Sequence, residues 1–407
     1  MHHTFQSMHT NPATDLPHKA SITLASSVQL GLKNTGFTYN TLTSQIREGE
    51  NGRYLDLNEL SNNLRLNGRD YMHLNASFDA FAVSFRAGKN RFSVNITEHI
   101  NARFNYNSSL LDVLVSGNTP GSTLSTGGYK IRGMHYREYG LGYNRRILEE
   151  GKLIVGGRIK LLQGMANVNT VKTDVSLSTA GEQDMYAITA SSDILVRTAG
   201  SKLSENISGD YLLNFGNTGL GVDLGATYKY SNNWTFSASL INLGSIKWKE
   251  DVVNYQSSGE FVFEGIDNND LFSGNFEVDQ GQLTDSLTQI FEFTESDEAY
   301  RTALPAQMYL TAYYQLARNT QASATYHGNM FGGLQNSLAL GITQRAGKWF
   351  QVGATYSMQA RAYNNLGMGI IIGNGFQLYA MSDNILAFMQ PGGARTAQFR
   401  GGFNFAF

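Results

Sequence analysis

The chain has 407 residues, a net charge of −2, 12% aromatic residues and 43 glycines. Only 16% of its residues are charged, against roughly 25% in average globular chains. The near-neutral balance excludes a nucleic-acid-binding protein, which needs a basic face, and the absence of Cys excludes disulfides and thiolate metal sites.

Residues 1–20 form an N-terminal arm that precedes the first regular element. The arm has no apolar core segment, so we expect no signal peptide in this numbering, and an exported chain would begin near its mature end. It contains four of the eight His residues: His2, His3, His9 and His18. Their spacing matches no known transition-metal site, which favours a tail that happens to contain His over a metal ligand set.

From residue 21 onward, apolar and polar side chains alternate over segments of about ten residues, the length that crosses a bilayer as a tilted strand. In the clearest segment, 220–230, Leu224 belongs to the apolar face and Gly225 to the small polar face. Other segments lie at 21–32, 72–87, 92–104, 152–165, 234–240, 310–316, 338–342 and 350–358. In 72–87 the phase changes, which predicts a bulge near Asp79. No run of eighteen apolar residues predicts a transmembrane helix.

The connections between these segments alternate in length. Short turns are predicted at 88–90, 148–151, 231–233, 317–319, 346–348 and 373–375, and the main outer loops at 33–70, 107–132, 167–217, 249–303 and 384–395. Short periplasmic turns and long outer loops are typical of bacterial barrels. We interpret 167–217 as one outer loop that contains its own hairpin. The sequence then predicts an all-β fold, a transmembrane antiparallel β-barrel of fourteen strands over 21–407, with both ends in the periplasm.

The interior of such a barrel is wider than its own side chains fill. We therefore expect the arm to lie in the lumen as a plug. Inward positions are mostly small and polar, with scattered charged residues that include Arg158, Lys160 and Asp223. No ring of charges typical of an open porin is evident, which favours an occluded lumen. Aromatic residues near the strand ends predict interfacial girdles: Tyr228, Tyr230, Trp234, Trp248, Tyr314, Trp349, Tyr356 and Tyr363. On the lipid face Leu224→Arg should cost about 2–4 kcal/mol near the midplane, and inward Gly225→Ser far less.

The segment 250–300 contains thirteen Asp or Glu residues and no Lys or Arg. Its apolar positions permit a short amphipathic helix, and a candidate docking loop for a partner consists of Leu283, Leu287, Ile290, Phe291 and Phe293. A solvated acidic loop is an equally supported interpretation. A calcium site at Asp267, Asn268, Asn269 and Asp270 is a weaker one, since the segment lacks EF-hand spacing.

His135, Arg137 and Glu138 cluster near the outer end of one strand. A catalytic interpretation would pair His135 with an acid, but no nucleophile can be assigned, so a structural ion-pair arrangement is favoured. The sequence therefore predicts no enzyme, no cofactor and no metal site.

The chain ends on a strand whose apolar face includes Phe403, Phe405 and Phe407. The opposite face, including Arg400 and Asn404, is small and polar. This pattern is typical of a membrane barrel, whose outer face contacts lipid.

Several motifs resemble an uncharacterised family of outer-membrane barrels from Bacteroidota. They are Asn11-Pro12-Ala13, Asn101-Ala102-Arg103-Phe104, 135–143, Gly156-Gly157-Arg158, 164–168, 243–248, Leu304-Pro305 and Ser382-Asp383-Asn384. That family is similar in architecture to the long-chain fatty-acid transporters and to barrels associated with type IX secretion. The resemblance implies fourteen strands and a luminal segment that starts near Asn11-Pro12-Ala13. The terminal Phe407 resembles the insertion signal of bacterial outer-membrane barrels.

Three functions are consistent with these features. The favoured hypothesis is a non-enzymatic integral outer-membrane barrel that contacts outer-membrane lipid and protein partners, as an accessory subunit of an export or assembly complex. The alternative is a porter for hydrophobic small molecules. Such a porter would need an apolar pocket in the lumen and a lateral opening in the barrel wall, for which the phase change near Asp79 is the candidate position. An outer-membrane hydrolase ranks last.

Overall fold

The computed structural model describes residues 4–49, 52–67, 70–116, 120–121, 123–125, 127–148, 151–181, 188–200, 214–263, 293–359 and 361–407. Most of the described residues belong to fourteen long antiparallel strands. These strands are Ala20–Asn34 (β1), Asp70–Ala87 (β2), Asn90–Tyr106 (β3), Lys130–Ile147 (β4), Leu153–Thr179 (β5), Asn217–Lys229 (β6), Trp234–Trp248 (β7), Gln307–Ala317 (β8), Thr320–Asn329 (β9), Gln335–Ala346 (β10), Phe350–Gln359 (β11), Ala362–Ile372 (β12), Phe376–Ser382 (β13) and Thr396–Ala406 (β14).

The strands form a closed barrel. Each strand pairs with the next, and β1 pairs with both β2 and β14. At the seam, Ala20 and Phe407 exchange backbone hydrogen bonds of 3.0 and 2.9 Å. The prediction of an all-β, fourteen-strand antiparallel barrel is therefore confirmed. No helix among the described residues is long and apolar enough to span a bilayer.

The outer wall is apolar, as a lipid-facing surface must be. Every barrel strand except β9 presents at least one exposed large apolar side chain. On β6, Leu224 is 50% exposed on the outer face, whereas the neighbouring Asp223 is fully buried inside. The sequence alternation thus gives the correct faces, and the molecule is a transmembrane barrel of the outer-membrane type.

The predicted aromatic girdle is wrong at Trp248. This side chain is fully buried, and its Nε1 donates a 2.7 Å hydrogen bond to Thr302 Oγ1. It belongs to an apolar core beneath the long loops, together with Tyr136, Leu162 and Ile246. The reason is that β7 continues past the lipid-facing belt, so its last residue packs inside the mouth of the barrel. Other predicted girdle residues are exposed: Tyr228, Tyr230, Trp234, Trp349, Tyr356 and Tyr363.

Both chain termini and the short turns lie at one end, called the periplasmic end here because short turns face the periplasm in bacterial barrels. The other, outer end contains several further elements. Its helices are Tyr39–Ser44, Leu57–Asn67, Ser109–Ser116, Leu386–Met389 and the 3-10 turn Pro391–Gly393. Its additional strands are Ile46–Gly49, Gly52–Leu55, Thr123–Ser125, Ile188–Ala199, Val252–Phe263, Thr294–Ser296 and Tyr300–Ala303.

The outer part of β5 forms a sheet beyond the barrel. Its residues up to Gly164 pair with β6, whereas residues 167–179 pair with Ile188–Ala199. The strand Ile188–Ala199 pairs in turn with Val252–Phe263. This arrangement agrees with the prediction of a hairpin within 167–217 that is not part of the spanning wall.

Two adjacent strands are irregular at the same level of the wall. The register of β2 against β3 shifts between Asp79 and Phe81, which confirms the predicted bulge. On β1 the register shifts between Leu24 and Ser27 against β2, and Ala25 has a φ of 41°. Because a bulge interrupts the ladder of hydrogen bonds, the wall is locally least regular where β14, β1 and β2 meet.

Candidate functional site in the barrel lumen

The described part of the N-terminal arm, residues 4–19, lies among inward-facing side chains of the wall. It begins with a 3-10 helix, Phe5–His9, and its apolar residues Phe5, Met8 and Leu16 pack with Ala82 of β2. Gln6 Nε2 donates to Asn404 Oδ1 of β14 over 3.1 Å. The arm is thus attached to β2 and β14, the two strands on either side of β1, by a small apolar cluster and a buried amide pair.

The Asn11-Pro12-Ala13 motif makes a tight turn against the opposite wall. Asn11 Oδ1 accepts a 2.7 Å hydrogen bond from the Ala13 amide, and Asn11 Nδ2 donates to Ser237 Oγ of β7 over 2.7 Å. Asn144 Nδ2 of β4 donates to the Pro12 carbonyl over 2.8 Å. An Asx-type turn therefore presents both its side chain and its backbone to the barrel.

Two wall glycines allow this close approach. A Cβ added at Gly225 would lie 2.0 Å from Asn11 Oδ1, and one at Gly156 would lie 2.7 Å from the Pro12 carbonyl carbon. Gly225→Ser would therefore have to displace the Asn11 side chain, a cost that the strand pattern alone does not include. The strand pattern places Gly225 correctly in the lumen, but the pattern does not reveal that another part of the chain occupies the adjacent space.

A buried cluster of opposite charges spans β4, β5 and β6. Lys160 Nζ lies 3.0 Å from Glu138 Oε2, 2.9 Å from Asp223 Oδ2 and 2.6 Å from Asn242 Oδ1. Arg158 Nη1 lies 3.5 Å from the same Asp223 oxygen. The four charged side chains are at most 3% exposed. Charges this deeply buried are tolerable only when they are paired.

The charge cluster also binds the arm. Arg158 Nη2 donates to the Met8 carbonyl over 3.1 Å, and Arg158 Nη1 lies 3.3 Å from His9 Nδ1. The other ring nitrogen of His9 lies 3.0 Å from Asp79 Oδ1 at the β2 bulge. The arm is therefore joined to β2 and to the strands β4, β5 and β6 in one buried polar network.

At the periplasmic end, basic residues surround the arm. Asp15 Oδ1 lies 2.9 Å from Arg86 and 2.5 Å from Arg146, and Arg91 donates to the Leu16 carbonyl over 3.0 Å. His18 lies 3.0 Å from Gln377. Burial, and then the positive charge of Arg91, lower the pKa of His18 below its usual value. Protonation of His18 is therefore less favourable in the folded barrel than protonation of a free imidazole.

Two cavities lie beside the arm: a central one of about 100 Å³ next to the charge cluster, and a periplasmic vestibule of about 380 Å³ next to His18. A third cavity, an outer vestibule of about 270 Å³, lies at the outer mouth of the barrel. Around each of these three cavities, polar side chains outnumber apolar ones.

The predicted cluster of His135, Arg137 and Glu138 separates into two. Glu138 faces the lumen and joins the charge cluster, whereas Arg137 and His135 lie on the outer face, 2.5 and 3.4 Å from Glu98. Alternation along the strand places neighbours on opposite faces, so the three residues do not form one site. The preference for an ion-pair arrangement over a catalytic one is consistent with this geometry.

Of the other predicted site residues, the structure describes the C-terminal Phe residues and Phe293. Phe403 and Phe405 contact Phe376 of β13, with ring centroids 5.6 and 5.5 Å apart, and Phe407 is 67% exposed. In the candidate docking loop, Phe293 is half exposed. Outside the described residues lie the rest of that loop (Leu283, Leu287, Ile290 and Phe291), the calcium alternative at 267–270, and His2 and His3. Within the described ranges, no group of three or more His, Asp or Glu residues is arranged to hold a metal ion.

Sequence reasoning placed Arg158, Lys160 and Asp223 in the lumen but treated them as scattered. It missed their assembly because this depends on the register between strands: Asp223 pairs with Arg158, and Lys160 lies opposite Gly140 on β4. It also missed the outer vestibule altogether. The sequence does show charged residues at inward positions of consecutive strands. The distances between them can be inferred only when the register of those strands is known.

Comparisons with known proteins give a family and a set of distant structural likenesses. The model of a family of unknown function, DUF5723, matches residues 12–383. No protein with a curated description matches the chain. A deletion mutant of the TodX monoaromatic hydrocarbon channel has a TM-score of 0.47 at 10% identity, covering 98% of this chain and 93% of that one. The toluene transporter TodX of Pseudomonas putida has a TM-score of 0.42 at 10% identity, over 99% and 93% of the two chains.

A FadL homologue from Pseudomonas aeruginosa is similar at the same level, with a TM-score of 0.43, 10% identity and coverage of 97% and 92%. Because these TM-scores are below 0.5, nothing about the function of this chain follows from them.

Proposed function

The chain belongs to the DUF5723 family, and we propose that it is a non-enzymatic outer-membrane barrel, closed by its own N-terminal arm, that serves as an accessory subunit of an export or assembly complex. The main support is the closed polar lumen. The arm occupies the interior, and the Glu138–Lys160–Asp223 cluster binds it through Arg158. A barrel with such an interior has no wide pore. Its outer wall and its loops are the surfaces that remain for contact with a partner.

In this proposal the arm is a luminal plug, and Asn11, Pro12 and Ala13 attach it to the wall. The contacts of Asn11 with Ser237 and of Asn144 with Pro12 support this role. Removal of residues 1–19 should produce ion conductance in planar bilayers, whereas the full chain should remain closed. Leu224→Met on the lipid face is the matched control. If the shortened barrel folds and remains closed, the arm is not a plug.

The partner-binding surface in this proposal is the outer end. The sheet formed by residues 167–179, 188–199 and 252–263 projects beyond the barrel, and the acidic segment that contains Leu283, Leu287, Ile290, Phe291 and Phe293 follows it. An acidic, partly apolar loop suits a partner with a basic, partly apolar surface. The C-terminal residues Phe403, Phe405 and Phe407 are proposed as the signal for insertion.

The test is purification of the tagged barrel in mild detergent, followed by native mass spectrometry. The proposal expects a protein partner at fixed stoichiometry, which is lost when Leu287, Ile290 and Phe291 are changed together to Ser. Changing exposed outer residues of the helix Leu57–Asn67 serves as the control. A barrel that is recovered alone, with no partner at constant ratio, contradicts the accessory role.

A porter for hydrophobic small molecules is the second candidate. It is favoured by one observation, the coinciding register shifts of β1 and β2 beside β14, where the wall is least regular. The polar linings of the three cavities argue against it. Apolar ligand bound inside the purified barrel, in the same mass spectrometry experiment, would favour this candidate over the accessory role.

A further inference from the structure

Fourteen of the eighteen residues that line the outer vestibule have side chains that form hydrogen bonds. Its walls are the outer ends of β1, β2, β9, β10, β11 and β14, together with Asp383. Among its eighteen lining residues are six carboxamides, four hydroxyls, two imidazoles, one ammonium and one carboxyl group. The chain could close this space with apolar side chains, as it does around Trp248, but the space remains open and polar.

Several of the lining groups are poorly satisfied. Lys33 and Asp383 make no ion pair among the described residues. Lys33 Nζ donates to Gln359 Oε1 over 3.4 Å and lies 5.5 Å from the centre of the Tyr71 ring, and Asp383 Oδ2 accepts from Gln359 Nε2 over 3.4 Å. His73 Nε2, Ser357 Oγ and Asp383 Oδ1 are buried without a hydrogen-bond partner in the described part of the chain. Burial also raises the pKa of Asp383. A buried polar group without a partner costs about 1–3 kcal/mol, so a ligand that satisfies these atoms would be stabilised.

The mixture of donors and acceptors indicates the chemistry of the ligand. A carboxamide donates and accepts at once, as does a hydroxyl, so this lining matches a molecule with many hydroxyl groups. A hydrocarbon would leave the same atoms without partners in a drier environment. An anion would meet Asp383, and a cation would meet Lys33.

The volume of the cavity limits the size of the ligand. At about 270 Å³ it is smaller than the roughly 300–1,000 Å³ of sites for drug-sized molecules. We propose that the outer vestibule binds a neutral carbohydrate of one or two rings. This site is independent of whether the barrel is an accessory subunit, because it lies inside the mouth and not on the projecting sheet.

The experiment uses the full chain, refolded into micelles of a detergent without a sugar head group. Saturation-transfer NMR and calorimetry are run with glucose, maltose and trehalose, and with glucosamine, glucuronate and laurate as comparators. The neutral saccharides should bind, with transfer to their ring protons, whereas laurate should not compete with them. Binding by laurate or by the charged sugars alone would overturn the proposal, as would no saccharide binding to the folded wild-type barrel.

A matched pair of variants locates the site. Thr355 lies on β11 in the vestibule lining, whereas Thr343 faces the lumen from β10 outside that lining. Thr355→Val should weaken saccharide binding by about threefold to tenfold, the loss of one hydrogen bond. Thr343→Val should leave it unchanged. Equal effects of the two substitutions would show that the sugar does not bind in the vestibule.

Discussion

Lys160 is the residue on which the buried charge cluster depends most directly. Its Nζ is the closest cation to both Glu138 and Asp223, at 3.0 and 2.9 Å, and its side chain is 3% exposed. Lys160→Met keeps roughly the length of the side chain and removes its charge and its N–H donors, including the one to Asn242. The two buried carboxylates would then share the more distant Arg158, which lies 4.0 Å from Glu138 and 3.5 Å from Asp223. Glu138 would besides keep His99 at 3.3 Å.

Removing one partner of a buried ion pair costs about 3–5 kcal/mol, because the remaining charge is left uncompensated. We expect Lys160→Met to lower the free energy of unfolding by this amount, measured by reversible urea unfolding in lipid vesicles. Lys229→Met at the periplasmic rim is the control, since the Lys229 side chain is 52% exposed and lies 3.9 Å from Asp15. Its effect should be within error, because exposed ion pairs contribute little.

A second substitution separates charge from packing. If the loss comes from uncompensated charge, Glu138→Gln in the Lys160→Met background should restore part of the stability, as a double-mutant cycle would measure. If the Lys160→Met variant has the same free energy of unfolding as the wild-type barrel, the charge cluster does not stabilise the fold. The same conclusion follows if Glu138→Gln lowers the stability of the Lys160→Met variant further.

Three further predictions concern the wall and the arm. Leu224→Arg should cost about 2–4 kcal/mol if the residue lies near the bilayer midplane, whereas Leu224→Met should be neutral in the same unfolding assay. Gly225→Ser should displace Asn11 and expose the arm to protease, unlike Gly259→Ser, which meets no atom within 4 Å; equal protection of the arm in both variants would refute the close contact. Because burial lowers the pKa of His18, the folded state binds fewer protons there than the unfolded state, so stability should fall as the pH drops below about 6.5. His18→Gln should flatten that dependence, and an unchanged pH profile would contradict the assigned pKa direction.

Much of the fold could be predicted from the sequence because lipid contact imposes a pattern along each strand. Alternation fixes which side chains face out, as at Leu224, and the lengths of the connections fix the strand count and the end at which the termini lie. The phase change at Asp79 predicted a real bulge for the same reason, since one extra residue must move every later side chain to the other face.

The candidate site was predicted only in outline. The sequence placed Arg158, Lys160 and Asp223 at inward positions, but their distances depend on strand register and on the curvature of the closed wall. Trp248 was misplaced because the sequence does not indicate where the lipid belt ends and the mouth of the barrel begins. The contact between Gly225 and Asn11 could not be predicted because the two residues are distant in the chain.

The sequence by itself therefore determined a lipid-facing barrel, its strand number and the two faces of its wall, since those follow from local periodicity against a uniform solvent. Only the tertiary structure decided what fills the interior. The joining of the arm to the wall through Arg158, the pairing of Lys160 with two carboxylates and the polar vestibule around Asp383 all result from contacts between segments far apart in the chain. Such contacts leave no periodic signal, because each depends on one specific pair of side chains meeting in space.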